Sequence, residues 1–261
     1  MLINTVVLLL RNGLPIVIMV TLLLLMVQSY QLYRLKVAWL GTLLLSLFII
    51  FWVIHYVDNI AQFYHGIALE LLFSSFYIAI YLVVLLCLYI TCFKATKINI
   101  NYLYMLIFLL IFSLNGSRFF IYLTGFWLQS QLQVSLLIGA LLGLGICISI
   151  GILMYFMLLF TQKKYQQPFV LLLVLLFACG QLNQAVDLLS QVDFLPSYEA
   201  LWNTSSLLSE DSELGYFFTA LLGYEATPSI LHFIIYFSAL IIPLSGYYFT
   251  NRQQESLKQD L

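Results

Sequence analysis

Seven long apolar segments limit what this chain can become. They cover about residues 3–28, 37–57, 66–93, 102–127, 132–160, 169–189 and 229–250, and a helix needs roughly 20 apolar residues to cross the hydrocarbon core of a bilayer. With 63% hydrophobic and 8% charged residues, and a mean hydropathy of +1.03, the 261 residues exclude a water-soluble globular domain. The pattern predicts an all-α polytopic membrane protein. Residues 1–250 form a single seven-helix transmembrane domain with an outer loop at about 190–228, and residues 251–261 form a short cytoplasmic tail. The first segment does not read as a cleaved signal peptide, because its basic residue sits mid-run and no small-x-small site follows.

That segment contains Arg11, Asn12, Gly13 and Pro15 within Leu8 to Val20. An ionisable side chain at membrane depth costs roughly 2.5 to 3.5 kcal/mol on insertion scales, so Arg11 needs a polar partner inside the protein. Pro15 has no N–H and leaves the Arg11 carbonyl without its helical donor, while Gly13 loosens the same turn. A broken or kinked helix with inward polar groups is expected. The plainer alternative is a kink whose arginine reaches the headgroups.

The remaining charges are ordered along the chain. Arg34 and Lys36, Lys94 and Lys97, Lys163 and Lys164, and Arg252 and Lys258 all fall on one side of a seven-span topology. The positive-inside rule then places the N-terminus outside and the C-terminus in the cytoplasm, across the plasma membrane or, in a bacterium, the inner membrane. Only Arg11 and Arg118 are intramembrane. Seven of eleven acids, Asp187, Asp193, Glu199, Glu210, Asp211, Glu213 and Glu225, lie on or beside the outer loop. Such a cluster can gather cations, although solvated loops commonly look the same.

Arg11, His55, Glu70, Asn115, Arg118, Gln181, Asn183, Gln184 and Asp187 lie in the outer halves of their spans, with Asp58 and His65 at the mouth. Gln181, Gln184 and Asp187 share one helix face. Together these residues predict a vestibule open to the outside above an apolar inner half. Spans one to three and four to six are candidates for an inverted three-helix repeat, with the seventh helix outside it. Arg11-Asn12-Gly13 has an echo in Asn115-Gly116-Ser117-Arg118. Gly139, Gly143, Gly145 and Gly151 form a small-residue stripe suited to close helix packing. Cys87, Cys92, Cys147 and Cys179 show no metal-type spacing and read as packing residues. No enzyme motif occurs, and a near-zero net charge without polybasic runs argues against nucleic acid as a partner.

The stretch from Leu201-Trp202-Asn203-Thr204-Ser205-Ser206 through Leu207-Leu208-Ser209-Glu210-Asp211-Ser212 is followed by Leu222-Gly223-Tyr224 and Thr227-Pro228-Ser229. With Leu10-Arg11-Asn12-Gly13-Leu14 and the position of Arg118, it resembles the oxidase-dependent high-affinity iron permease family of fungi and bacteria, over nearly the whole chain. The resemblance implies transport of iron, as cargo rather than cofactor. It also implies as partners the lipid bilayer, a periplasmic or extracellular oxidase or iron-delivery protein, and further copies in an oligomer. Members of that family carry Arg-Glu-x-x-Glu in the first and fourth spans, where glutamates three apart offer hard oxygen ligands from one helix face.

Here the arginines match and the acids do not. Asn12 and Pro15 stand in the first motif, Phe119 and Tyr122 in the second, and His65-Gly66 replaces a further Glu-Gly. With Glu70 the one clear mid-span acid, the interior is expected to be net positive. The implied substrate path comprises Arg11, Asn12, Pro15, Glu70, Arg118, Tyr122, Gln181 and Gln184, with His65, Glu70 and Tyr122 as metal ligands. Two other readings remain open. One is a non-conducting membrane subunit or a protein binding an anion between the arginines. The other is a membrane haem protein using pairs among His55, His65 and His232. Blander roles are His55 paired with Asp58 one turn on and His232 at the interface.

Overall fold

The computed structural model describes residues 2–26, 36–62, 66–93, 100–127, 133–165, 167–196 and 198–259. These form helices α1 (Leu2–Met26), α2 (Lys36–His55), α3 (Val57–Gln62), α4 (Ala68–Phe93) and α5 (Ile100–Trp127). They continue with α6 (Gln133–Tyr165), α7 (Gln167–Gln191), α8 (Glu213–Leu222) and α9 (Ile230–Gln259). Among the described residues there is no strand, only an isolated bridge between Ala200 and Ser229. Six helices, α1, α2, α4, α5, α6 and α7, are long and apolar enough to cross a bilayer. The chain is a multi-pass membrane protein. Large apolar side chains such as Phe48 and Phe51 on α2 and Leu141, Leu153 and Phe160 on α6 are exposed, a surface that lipid covers at no hydrophobic cost.

Of the seven spans expected, these six are long and apolar enough among the described residues; α9 is apolar over Ile230–Gly246 and carries Asn251, Arg252 and Gln253 towards its end. Residues Arg34, Lys94 and Lys97, on which the expected orientation partly rests, lie outside the described residues. A correction concerns α1: of the broken or kinked helix expected, the break does not occur, and α1 passes through Pro15 as one helix. Leu14 and Pro15 are both buried, so packing on the surrounding helices holds the turn that proline weakens. Asn12 adds to it by donating from Nδ2 to the Leu8 carbonyl at 2.9 Å.

Close pairing of helices builds the bundle. A Cβ added at Gly139 would lie 2.8 Å from the Leu2 carbonyl oxygen, one at Gly143 3.1 Å from Leu9 Cβ, and one at Gly151 2.3 Å from Val17 Cγ1. With Cys147, whose Sγ lies against Gly13, these residues recur every four positions and form one ridge of α6. Contacts advance along both helices together, so α1 and α6 run parallel. Gly145 faces open space and takes no part in the ridge. On the other side of the bundle Gly116 of α5 accommodates Ile50 of α2, and α4 packs along α7.

The outer loop expected at about 190–228 is not simply solvated. Ser212 caps α8, its hydroxyl accepting the Gly215 N–H at 3.0 Å, and α8 packs against α1 and α7. Its far end meets Gly180, where a Cβ would lie 2.7 Å from the Gly223 Cα. Gly180 is roughly 16 Å along α7 from its end at Gln191, so the loop re-enters the bundle. Gly223 turns the chain there at a φ of 69°, a left-handed conformation that glycine adopts without a Cβ clash.

Backbone at such depth must find partners within the protein. The Leu222 carbonyl accepts from Tyr236 at 2.6 Å, the Tyr224 carbonyl from Thr219 at 2.8 Å, and the Leu208 carbonyl from Tyr224 at 2.9 Å. Thr204 N–H donates to the Ala226 carbonyl at 2.9 Å, and Glu210 accepts from the Ala226 N–H.

Candidate functional site

The half of the bundle where α1 begins and α5 and α7 end contains a polar chamber of about 790 Å³, including the solvent at its mouth. From α1 it takes Arg11, Asn12 and Pro15, from α5 Asn115 and Arg118, and from α7 Gln181, Gln184 and Asp187. Two arginines more than a hundred residues apart in sequence thus face one space. Arg118 is held in place: its Nη1 donates to the Tyr77 hydroxyl, and its guanidinium carbon lies 5.9 Å from the Tyr77 ring centroid, within cation–π range. Arg11 is exposed to the chamber. Among the described residues, no carboxylate oxygen comes within ion-pairing distance of either guanidinium.

Asn12 and Asn115 are tied to their own helices, each donating from Nδ2 to the carbonyl four residues back. Gln181 differs. It is 3% exposed, and its Oε1 has no hydrogen-bond partner. A buried amide oxygen left unpaired costs on the order of 1 to 3 kcal/mol, which a ligand in the chamber can recover. Away from this end, Ile18, Leu22, Val84, Ile107, Leu158 and Val170 are buried in one core, so the apolar inner half expected from the sequence closes the chamber below.

Six of the eight expected path residues line the chamber. Glu70 and Tyr122 do not; Glu70 lies in the first turn of α4 with Oε2 buried and unpartnered, well before Tyr77 along the helix. His65, the third expected metal ligand, lies outside the described residues. The expected net positive interior is also corrected. Asp187 and the loop residues Glu210 and Asp211 line the chamber, so three carboxylates face two guanidinium groups. Sequence reasoning missed Glu210, Asp211, Tyr216 and Thr219 as chamber residues because re-entry of the loop brings them there. Tyr216 donates to Asp211 at 3.3 Å, and burial together with that carboxylate raises its phenol above the usual tyrosine range.

The two described histidines, His55 and His232, sit in different surroundings. His55 stacks on Phe51, with ring centroids 6.1 Å apart, and forms no ion pair with Asp58. His232 is 7% exposed, with Nε2 2.8 Å from Asp187 Oδ1. Nearby Glu225 is pushed up to about 7 by burial and by the neighbouring Asp187 carboxylate. No protein-family model, curated protein or solved structure matches the chain.

Proposed function

We propose that this chain is a permease-like transport protein that moves a small ion across the plasma membrane through the chamber between Arg11 and Arg118, with iron as the cargo suggested by the resemblance of residues 201–212, 222–224 and 227–229. One observation carries the reading: polar residues from α1, α5, α7 and the re-entrant loop converge on a chamber closed below by apolar side chains. Such a site serves transport if the closed half opens in turn.

In this reading α9 acts as a seventh span, the N-terminus lies outside and the C-terminus lies in the cytoplasm. The helix pairing supports an inverted repeat, because overlaying α1, α2 and α4 on α5, α6 and α7 exchanges the α1–α6 and α2–α5 pairs and returns α1–α5 and α4–α7 to themselves. Uptake of radiolabelled iron into proteoliposomes tests the proposal. Uptake above empty liposomes, reduced at least tenfold by Arg118→Ala, is expected. Equal counts in empty and loaded liposomes would end it.

A second reading, anion binding without conduction, is favoured by the two guanidinium groups, neither of which contacts a carboxylate among the described residues. It predicts that phosphate or a small carboxylate raises the Tm of the wild type and not of Arg11→Ala, with no uptake of either ion.

A further inference from the structure

We propose that Asp187, Glu225 and His232 form a binding site for a divalent transition-metal cation beside the chamber. The three residues come from α7, the loop after α8 and the first turn of α9, and one ligand atom from each lies within 4.8 Å of the others. A metal bonded at about 2.0 to 2.2 Å to nitrogen and oxygen holds its ligands at most about twice that distance apart, so small side-chain movements complete the site.

The imidazole is already oriented. Its Nδ1 shares a 2.8 Å hydrogen bond with the Ser229 hydroxyl, the outer contact that typically fixes a metal-binding histidine. In the tautomer with its proton on Nδ1, Ser229 accepts that proton and Nε2, 2.8 Å from Asp187 Oδ1, is left with a lone pair for a metal; in the other tautomer a metal displaces the Nε2 proton that faces the carboxylate. Glu225 Oε1 lies 3.7 Å from the ring, and Glu225 Oε2 is buried without a hydrogen-bond partner.

The surrounding charge points the same way. Glu210, which accepts from the Ala226 N–H beside Glu225, adds a third carboxyl group near the one imidazole. A divalent ion neutralises the excess, and one imidazole with two carboxylates suits zinc, manganese or ferrous iron rather than calcium or cuprous copper. Asp187 also lines the chamber, which gives the ion a route in from solvent. The site does not require that the chain translocate anything.

Cobalt(II) titration of the full chain in detergent, with any affinity tag removed, tests the site. One equivalent is expected to bind with visible d–d absorption, and His232→Ala is expected to weaken binding at least a hundredfold. Glu225→Gln, which removes a charge without changing shape, is expected to weaken it at least tenfold and carries the test if His232→Ala does not fold. Glu199→Gln, at an exposed position outside the chamber, is expected to leave it unchanged. Wild-type protein that takes up no cobalt, or a Glu225→Gln variant that binds as tightly as wild type, overturns the site. Cobalt binding without iron uptake would keep the site and remove the permease; uptake without cobalt binding would do the reverse.

Discussion

At the scale of single residues the chamber is a set of polar groups with unequal freedom. Asn12 and Asn115 are bonded to their own helices, Arg118 is fixed by Tyr77, and Gln181 is left with an unpaired oxygen. Removing that oxygen relieves a desolvation cost. Gln181→Leu is therefore expected to raise stability by about 1 kcal/mol, read as a higher Tm in detergent, while lowering uptake. A lower Tm would show that the amide is satisfied in the folded protein.

Tyr77→Phe removes the hydroxyl that holds the Arg118 guanidinium and keeps the ring beside it. Because loss of one hydrogen bond to a charged group costs roughly 1.5 to 3 kcal/mol, uptake or anion binding is expected to fall at least tenfold, as a titration or flux assay would report. Unchanged affinity would mean that Arg118 does not act from this position. The arginines were legible in the sequence because a charge inside an apolar run is rare, and Gln181, Gln184 and Asp187 because their spacing shares a face. The His232 cluster was not, since its members lie on three elements whose meeting no local pattern records.

Among elements, the α1–α6 pair rests on backbone approach rather than on side-chain size. A side chain at Gly139 would meet the Leu2 carbonyl and Thr5, whereas one at Gly145 would meet nothing within 4 Å. Gly139→Leu is expected to destabilise the protein by about 1 to 3 kcal/mol, with Gly145→Leu near neutral. Denaturant titration of the two variants side by side checks this, and equal stabilities would refute the parallel ridge. The stripe was visible in the sequence, but not which of its glycines faced a neighbour.

Re-entry of α8 was hidden for a different reason. Its ten residues, Glu213–Leu222, are too short to register as a span. The signal available was an apolar run bounded by Ser212, a preferred cap, and Gly223, a preferred helix stop.

For the whole molecule, the transmembrane class followed from hydropathy alone, while the number of spans did not. The last apolar run tapers into polar residues, and length decides membership only for clear cases. The side of the membrane on which the chamber opens is testable apart from transport. Leu207, 87% exposed in the loop at the chamber end of the bundle, is expected as Leu207→Cys to react with a membrane-impermeant maleimide on intact cells. The buried Cys87, Cys147 and Cys179 should contribute little background. Labelling only after the cells are opened would invert the topology.

The arginines of the chamber belong to spans, whereas Glu210 and Asp211 arrive on the segment that leads into α8. The polarity of the vestibule is therefore conditional. With that segment seated, carboxylates outnumber guanidinium groups; with it withdrawn, Asp187 alone faces two arginines and the surplus becomes positive. A swing of one short helix would thus reverse the sign of charge that the cavity attracts, without unwinding any span.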